Sequence, residues 1–227
     1  MGHLFLVKNG SSLEKPISIE WQIYLGKYLI LTFFKQIIEL IKIRQMILFL
    51  LVSPEEINSI HITIPAEVCE INSSNVDKVR DFRDDIDPQK FENFLKKGDV
   101  GIYAIIDSKV VGHLWAFICR EKSIRIDGFI KISKNEAVIH FATVYEKYRG
   151  KNIYPSMLST LCNKLMLEKG VQKIYIITDK DNISSIKGIE KVGFKIYQKK
   201  LYLPIYKVVK VIDSVLSFFV QCFINSL

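Results

Sequence analysis

Hydrophobic positions recur with two different periods along this chain, and the change between them marks its organisation. Between Tyr28 and Val52 most residues are aliphatic or aromatic, and the polar ones fall at Thr32, Lys35, Gln36, Glu39, Lys42 and Gln45. Steps of three and four confine these to one stripe of a helix. Met46 to Val52 is apolar without a break and reads as a strand or as the end of that helix. Ser53-Pro54-Glu55-Glu56 has the form of a helix start, with proline at the first position. From about residue 60 the elements shorten. Residues 61–71 alternate as a strand does. A short helix is expected over 74–82, capped by Ser73 or Ser74. Another opens at Asp87-Pro88, runs to Lys97 and stops at Gly98. Residues 100–106 and 110–119 form a hairpin, and 128–133 pairs with 136–144. A helix over 153–169 ends at Gly170; strand 173–178, helix 182–192 and strand 194–203 follow. Residues 205–227 form a second amphipathic helix, with Lys207, Lys210, Ser214, Ser217, Gln221 and Asn225 as its polar stripe. Residues 1–19 read as a loose lead-in. The division is thus an N-terminal extension (1–59), an α/β domain (60–206) and a C-terminal helix (207–227).

Composition narrows the partners. With 49% hydrophobic residues the chain can bury a sizeable core. A net charge of +8 suits an anionic partner. There is no block of five or six like charges and no nucleic-acid-binding signature, which argues against DNA and RNA. The cysteines, Cys69, Cys119, Cys162 and Cys222, are widely spaced and form no Cys-x-x-Cys pair, which points to a reducing, cytoplasmic setting and away from zinc. Charges at Lys35, Glu39, Lys42 and Arg44 disfavour a membrane span through the first helix. That helix suits the surface of an anionic membrane, or packing on the domain or on a second subunit as a homodimer. Residues 20–52 and 207–227 are the candidate segments for peripheral contact with the inner face of a membrane.

Residues 136–158 carry the densest signal. A β-prone apolar stretch containing His140 runs into a basic turn, Lys147 to Asn152. An apolar-periodic run then begins at Ile153. The first-turn amides of the helix have no intrahelical partner and carry the positive end of its dipole. With Arg149 and Lys151 beside them, they form a natural seat for a pyrophosphate. Arg149-Gly150-Lys151-Asn152-Ile153-Tyr154 resembles the acyl-CoA pyrophosphate loop of the GNAT superfamily of N-acetyltransferases, Arg/Gln-x-x-Gly-x-Gly/Ala after a strand ending in valine. Val144 and Arg149 fit that pattern; Asn152 and Tyr154 stand in the places of its two later glycines. A second motif, Asp181-Asn182-Ile183-Ser184-Ser185 followed by Glu190-Lys191-Val192-Gly193-Phe194, is similar to the family's Asn-x-x-Ala/Ser … Glu-Lys-x-Gly-Phe signature. The two occur in the family's order. The resemblance covers residues 60–206 and implies an α/β fold with a mixed, mostly antiparallel central sheet flanked by helices.

The resemblance also implies a chemistry: transfer of an acetyl group from acetyl-CoA, as co-substrate, to a primary amine of a small molecule, with no metal. Carried over by position, the Val144 amide holds the thioester carbonyl. The amides of Arg149, Gly150, Lys151, Asn152, Ile153 and Tyr154 hold the pyrophosphate, and Asn182 the pantetheine arm. The family's frequent glutamate base falls on Val138, which cannot take a proton. His140 is two residues on, shares its face and is of a type that titrates near neutrality, so it is the candidate base; its other reading is a core histidine satisfied by a backbone carbonyl. Glu136 is the second candidate. Ile189 replaces the usual thiolate-protonating tyrosine, leaving Tyr154, Tyr197, Tyr148 or water as the acid. His113 and Trp115 alternate outward beside the expected acceptor cleft, as substrate contacts or as ordinary sheet packing. An amino sugar is the acceptor class that suits a membrane-peripheral enzyme. The alternative is a non-catalytic acyl-CoA-binding or membrane-peripheral module on a degenerate fold, consistent with the departures at Val138, Asn152, Tyr154 and Ile189.

Overall fold

The computed structural model describes residues 44–83, 85–126 and 130–202, together with six helical positions, Tyr24, Lys27, Tyr28, Leu31, Thr32 and Lys35. The chain divides into two compact units, residues 44–202 and a second made of 1–43 with 203–227. The six described positions of the second unit are spaced as one helical face and are exposed, in keeping with the expected helix. The remainder of that helix, and the tail over 205–227, lie outside the described residues, as does any membrane or subunit contact made through them. No helix among the described residues is long and apolar enough to cross a membrane.

The larger unit contains, in chain order, β1 (Arg44–Leu51), β2 (Glu67–Glu70), α1 (Pro88–Lys96), β3 (Val100–Ile106), β4 (Lys109–Cys119), β5 (Ile124–Ile126), β6 (Ile130–Ile132), β7 (Glu136–Val144), α2 (Ile153–Asn163), β8 (Lys173–Asp179), α3 (Ile183–Val192) and β9 (Lys195–Tyr202). Seven strands form one sheet in the order β2-β3-β4-β7-β8-β1-β9. Only the β7–β8 pairing is parallel. The architecture is therefore the expected mixed, mostly antiparallel sheet flanked by helices. Its main core lies under α2 and α3 and includes Phe49, Ile102, Leu114, Ile139, Leu158, Leu161, Ile174 and Phe194. On the opposite face α1 covers a cluster built on Phe91, Tyr103 and Trp115. The β5–β6 hairpin covers a third, with Ile132, Val138 and Tyr175.

The largest difference from expectation is β1. Placed in the extension before residue 60, it instead lies inside the sheet, antiparallel to β8 on one side and β9 on the other. Ile47, Phe49 and Leu51 enter the main core, while Leu48 enters the third cluster with Met46 and Leu50 packed against it. A strand covered on both faces has no polar alternation, so it reads as a featureless apolar run. The compact unit accordingly begins at Arg44, not at residue 60.

Smaller corrections have local causes. The strand expected over 61–71 is confined to β2. The helix expected over 74–82 is a 3-10 turn, Val76–Asp81, with Asn75 at its cap and no side-chain capping bond. Ser74 does not cap it, because its backbone N–H and hydroxyl both donate to the Asn72 carboxamide oxygen. Residues 130–132 pair with 124–126 instead of with β7. The helix after the loop stays α-helical only to Asn163 and widens into a π turn over Lys164–Glu168. Gly193 ends α3 at φ +118, and a Cβ there would lie 2.0 Å from the Glu56 carbonyl oxygen, so the glycine of the second motif is required twice over.

Candidate active site

The sheet splits at one point. The β7–β8 ladder runs from Glu136↔Lys173 to Ile139↔Ile176 and stops. The next residue of β7 is His140. Immediately after it, β7 bulges against β4: Trp115 opposes His140 and His113 opposes Thr143, leaving Phe141 and Ala142 across from Leu114 alone. Phe141 is left-handed there, at φ +48, an uncommon conformation for a bulky side chain. Its ring is held by stacking on His113 at 5.1 Å and by the Lys90 ammonium 3.6 Å from its centroid.

Beyond the bulge the backbone groups of β7 face the opening. Tyr145 N–H donates to Val111 O at 2.8 Å, and Gly112 opposes Val144. In an antiparallel ladder this register makes Val144 the residue whose N–H and C=O point away from β4. They point toward the side that β8 has vacated. The Val144 carbonyl accepts from Arg149 Nε at 3.2 Å.

The loop that follows is shaped for an anion. Gly150 is left-handed at φ +77, with open space where a Cβ would stand, and Asn152 is left-handed at φ +60. The amides of Gly150 through Tyr154 have no acceptor among the described residues, and Pro155, next in α2, has no N–H to satisfy. Consecutive unpaired amides at a helix start form an anion-binding concavity. Outside contacts fix the loop: Thr63 N–H donates to Lys151 O at 3.1 Å, and Asn152 Nδ2 donates to His61 O at 3.3 Å. Lys191 Nζ donates to Asn152 Oδ1 at 2.9 Å, which ties the two sequence motifs together and adds a cation.

These groups line a cavity of about 600 Å³ between the end of β7, the loop, the start of α2 and α3. It gathers Val144, Arg149, Gly150, Asn152, Ile153, Tyr154 and Asn182 of the expected cofactor residues. Asn182 Oδ1 caps α3 by accepting from Ser185 N–H at 3.2 Å and from the Ser184 hydroxyl at 3.1 Å, so its amide nitrogen is the group left for a ligand. Ser185 of the second motif and Lys187 also line the cavity, beside Gly188, a contributor on the cavity side of α3 that the sequence does not single out.

Tyr154 does not close the loop. Its ring turns into the α2–α3 interface, where a Cβ on Gly188 would approach Cδ1 to 2.7 Å. Burial pushes its phenol up to about 12, while the nearby Ser185 hydroxyl pulls the other way. A phenol so weak in acidity does not readily protonate a thiolate, whose conjugate acid lies near 8.5. Glu136 is corrected as well. It sits at the far end of β7, its carboxylate accepting from Ser133 N–H at 2.8 Å and pairing with Lys173 Nζ at 3.2 Å.

His113 and Trp115 are also corrected: both side chains are wholly buried under α1. His113 Nδ1 donates to Phe141 O at 2.8 Å, which leaves Nε2 bare and without a partner among the described residues. Burial lowers its pKa to about 4. A histidine that folds neutral stabilises fully above the unfolded value near 6.5, and this contribution is lost as pH falls toward 4. Urea unfolding should therefore show stability declining between about pH 6.5 and 5. The slope should shrink in His113→Asn, which keeps the donor to Phe141 and cannot titrate. An unchanged slope would show that His113 is not its source.

The profile of the Acetyltransferase (GNAT) family matches residues 67–194, more than half of the chain. This chain belongs to the GNAT family. Among solved structures it is similar to a GNAT acetyltransferase of Novosphingobium aromaticivorans (11% identity, TM-score 0.51, covering 71% of this chain and 63% of that one). It is also similar to a GCN5-related N-acetyltransferase of Sphaerobacter thermophilus (9% identity, TM-score 0.51, 70% and 50%) and to a GNAT acetyltransferase of Colwellia psychrerythraea (12% identity, TM-score 0.50, 70% and 54%). The match spans less than two thirds of each of these longer chains, and at such identities it speaks for the GNAT fold alone. No curated protein matches the sequence.

Proposed function

We propose that this chain is an acyl-CoA-dependent N-acetyltransferase acting on a primary amine of a small molecule, with His140 as the base. The observation that carries the reading is the coincidence of three features at one split in the sheet. These are a turned-out Val144 amide, an anion-binding run of amides ending a 600 Å³ cavity, and a half-buried histidine at the first position of β7 without a β8 partner. The pyrophosphate of acetyl-CoA would sit on the Gly150–Tyr154 amides, with its thioester led along β7 toward Val144. The amine lone pair attacks the thioester carbon, and the nitrogen gives its proton to His140. The Val144 N–H stabilises the oxygen that becomes negative. The C–S bond then breaks, and the proton passes from the imidazolium to the departing thiolate, a stronger base than imidazole in water. Half-buried Phe94, edge-on to His140, is an aromatic neighbour of the kind a sugar ring packs on, which favours an amino sugar as acceptor.

Acetyl-CoA at about 100 times its dissociation constant should stabilise the protein by roughly 2.7 kcal/mol in a thermal melt. Arg149→Ala, which frees the Val144 carbonyl and removes a cation from the loop, should shrink that shift. Thiol release should then accelerate when a panel of amino sugars and other primary amines is added. A shift without thiol release would favour an acyl-CoA-binding module, and no shift would sink the cofactor site.

A further inference from the structure

We infer that Asp99 is a positioning residue for His140, holding the imidazole so that Nδ1 is the nitrogen presented to the acceptor amine. The inference rests on the reading of His140 as base and adds a partner that no sequence motif marks. Asp99 follows α1 directly. Gly98 reverses the chain at φ +80, and Asp99 N–H donates to Phe94 O at 3.0 Å, which fixes the aspartate at the head of β3. Arg120 reinforces the turn by donating to Gly98 O at 2.7 Å and Lys97 O at 3.3 Å.

From there the Asp99 side chain, only 5% exposed, reaches His140: Oδ2 lies 3.4 Å from Nε2. Its other oxygen, Oδ1, is buried and has no hydrogen-bond partner among the described residues. Among the described residues the imidazole is thus the one hydrogen-bond or ion-pair partner the carboxylate has. A buried carboxylate contributes little to stability compared with apolar packing of the same shape. Here it sits where the sheet opens, against a histidine whose side chain is 30% exposed. Phe94, from the last turn of α1, meets that ring edge-on at 5.1 Å and fixes its plane. With Nε2–H directed at Asp99, Nδ1 carries the lone pair. The imidazolium formed when Nδ1 takes the amine proton then lies beside a carboxylate that offsets its charge. At 3.4 Å the contact is longer than a formed N–H···O bond, and contacts of this kind shorten when substrate closes a site.

Asp99→Asn keeps the side-chain volume and removes the charge. It should lower kcat by about ten- to a hundredfold with the fastest amine of the panel, leave KM for acetyl-CoA unchanged, and have no further effect in a His140→Ala background. Independently of activity, nitrogen-15 NMR of the full chain should show His140 protonated at Nε2 and bare at Nδ1. The Nε2-bound proton should resonate far downfield in the parent and move upfield in Asp99→Asn. If Asp99→Asn lowers kcat equally in both backgrounds, or if that resonance is unchanged, the role of Asp99 is overturned while His140 as base survives. If His140→Ala retains full kcat, the base falls and the positioning residue with it.

Discussion

Replacing His140 with alanine should lower kcat by about 10³-fold and leave KM for acetyl-CoA within about twofold of the parent. General base catalysis contributes on the order of 10² to 10⁴. The middle of that range is expected because neither of the two β7 positions where a substitute carboxylate would be sought supplies one. Val138, at the position of the family's glutamate, is a core residue, and Glu136 is held at the other end of β7 by Ser133 and Lys173. KM should hold because none of the groups that line the cofactor cavity depends on the imidazole, which points to the α1 face of the sheet. His140→Gln, which keeps a polar group of similar size, should be equally impaired. Stopped-flow measurement of thiol release separates the chemical step from release of product. A fall in apparent acetyl-CoA affinity with kcat preserved would mean that the histidine shapes the cleft and moves no proton.

The same region shows what the sequence could and could not disclose. The loop and the second motif were legible because their chemistry is local. A glycine, an asparagine that tolerates left-handed angles and a run of helix-start amides announce an anion seat without tertiary information. His140 was legible because side chains two apart on a strand share a face. Asp99 was not, since nothing in a turn between α1 and β3 reports that its carboxylate crosses to a histidine 41 positions later. His113 and Trp115 were misplaced for the opposite reason. Alternation shows which face a strand residue takes, but not whether a helix such as α1, carrying Phe91 and Phe94, covers that face. β1 was hidden by being buried twice, and its pairing with β8 and β9 spans more than 120 residues of chain. Long-range pairing leaves no local trace beyond apolarity.

Tyr154 and Gly188 should prove to be one feature divided between two helices. From the loop alone, Tyr154 is a defect, a large side chain where the family keeps glycine. In the folded chain its ring fills the space above Gly188, a mid-helix position whose missing side chain would otherwise lower helical stability by about 1 kcal/mol relative to alanine. Gly188→Ala in the parent should therefore destabilise by about 1–2 kcal/mol, because crowding of the Tyr154 ring, with atoms 2.7 and 3.0 Å from the new Cβ, outweighs the gain in propensity. In a Tyr154→Ala background the same substitution should stabilise by about 1 kcal/mol. The double-mutant cycle then yields a coupling of about 2–3 kcal/mol, the upper end of what contacting residues show. Gly188→Ala should also weaken acetyl-CoA binding in the parent, since both residues line the cavity and a displaced ring changes its wall. Urea melts of the four proteins decide it. Equal stabilisation by Gly188→Ala in both backgrounds would mean that the ring yields freely, and that the tyrosine in the loop is tolerated without the glycine opposite.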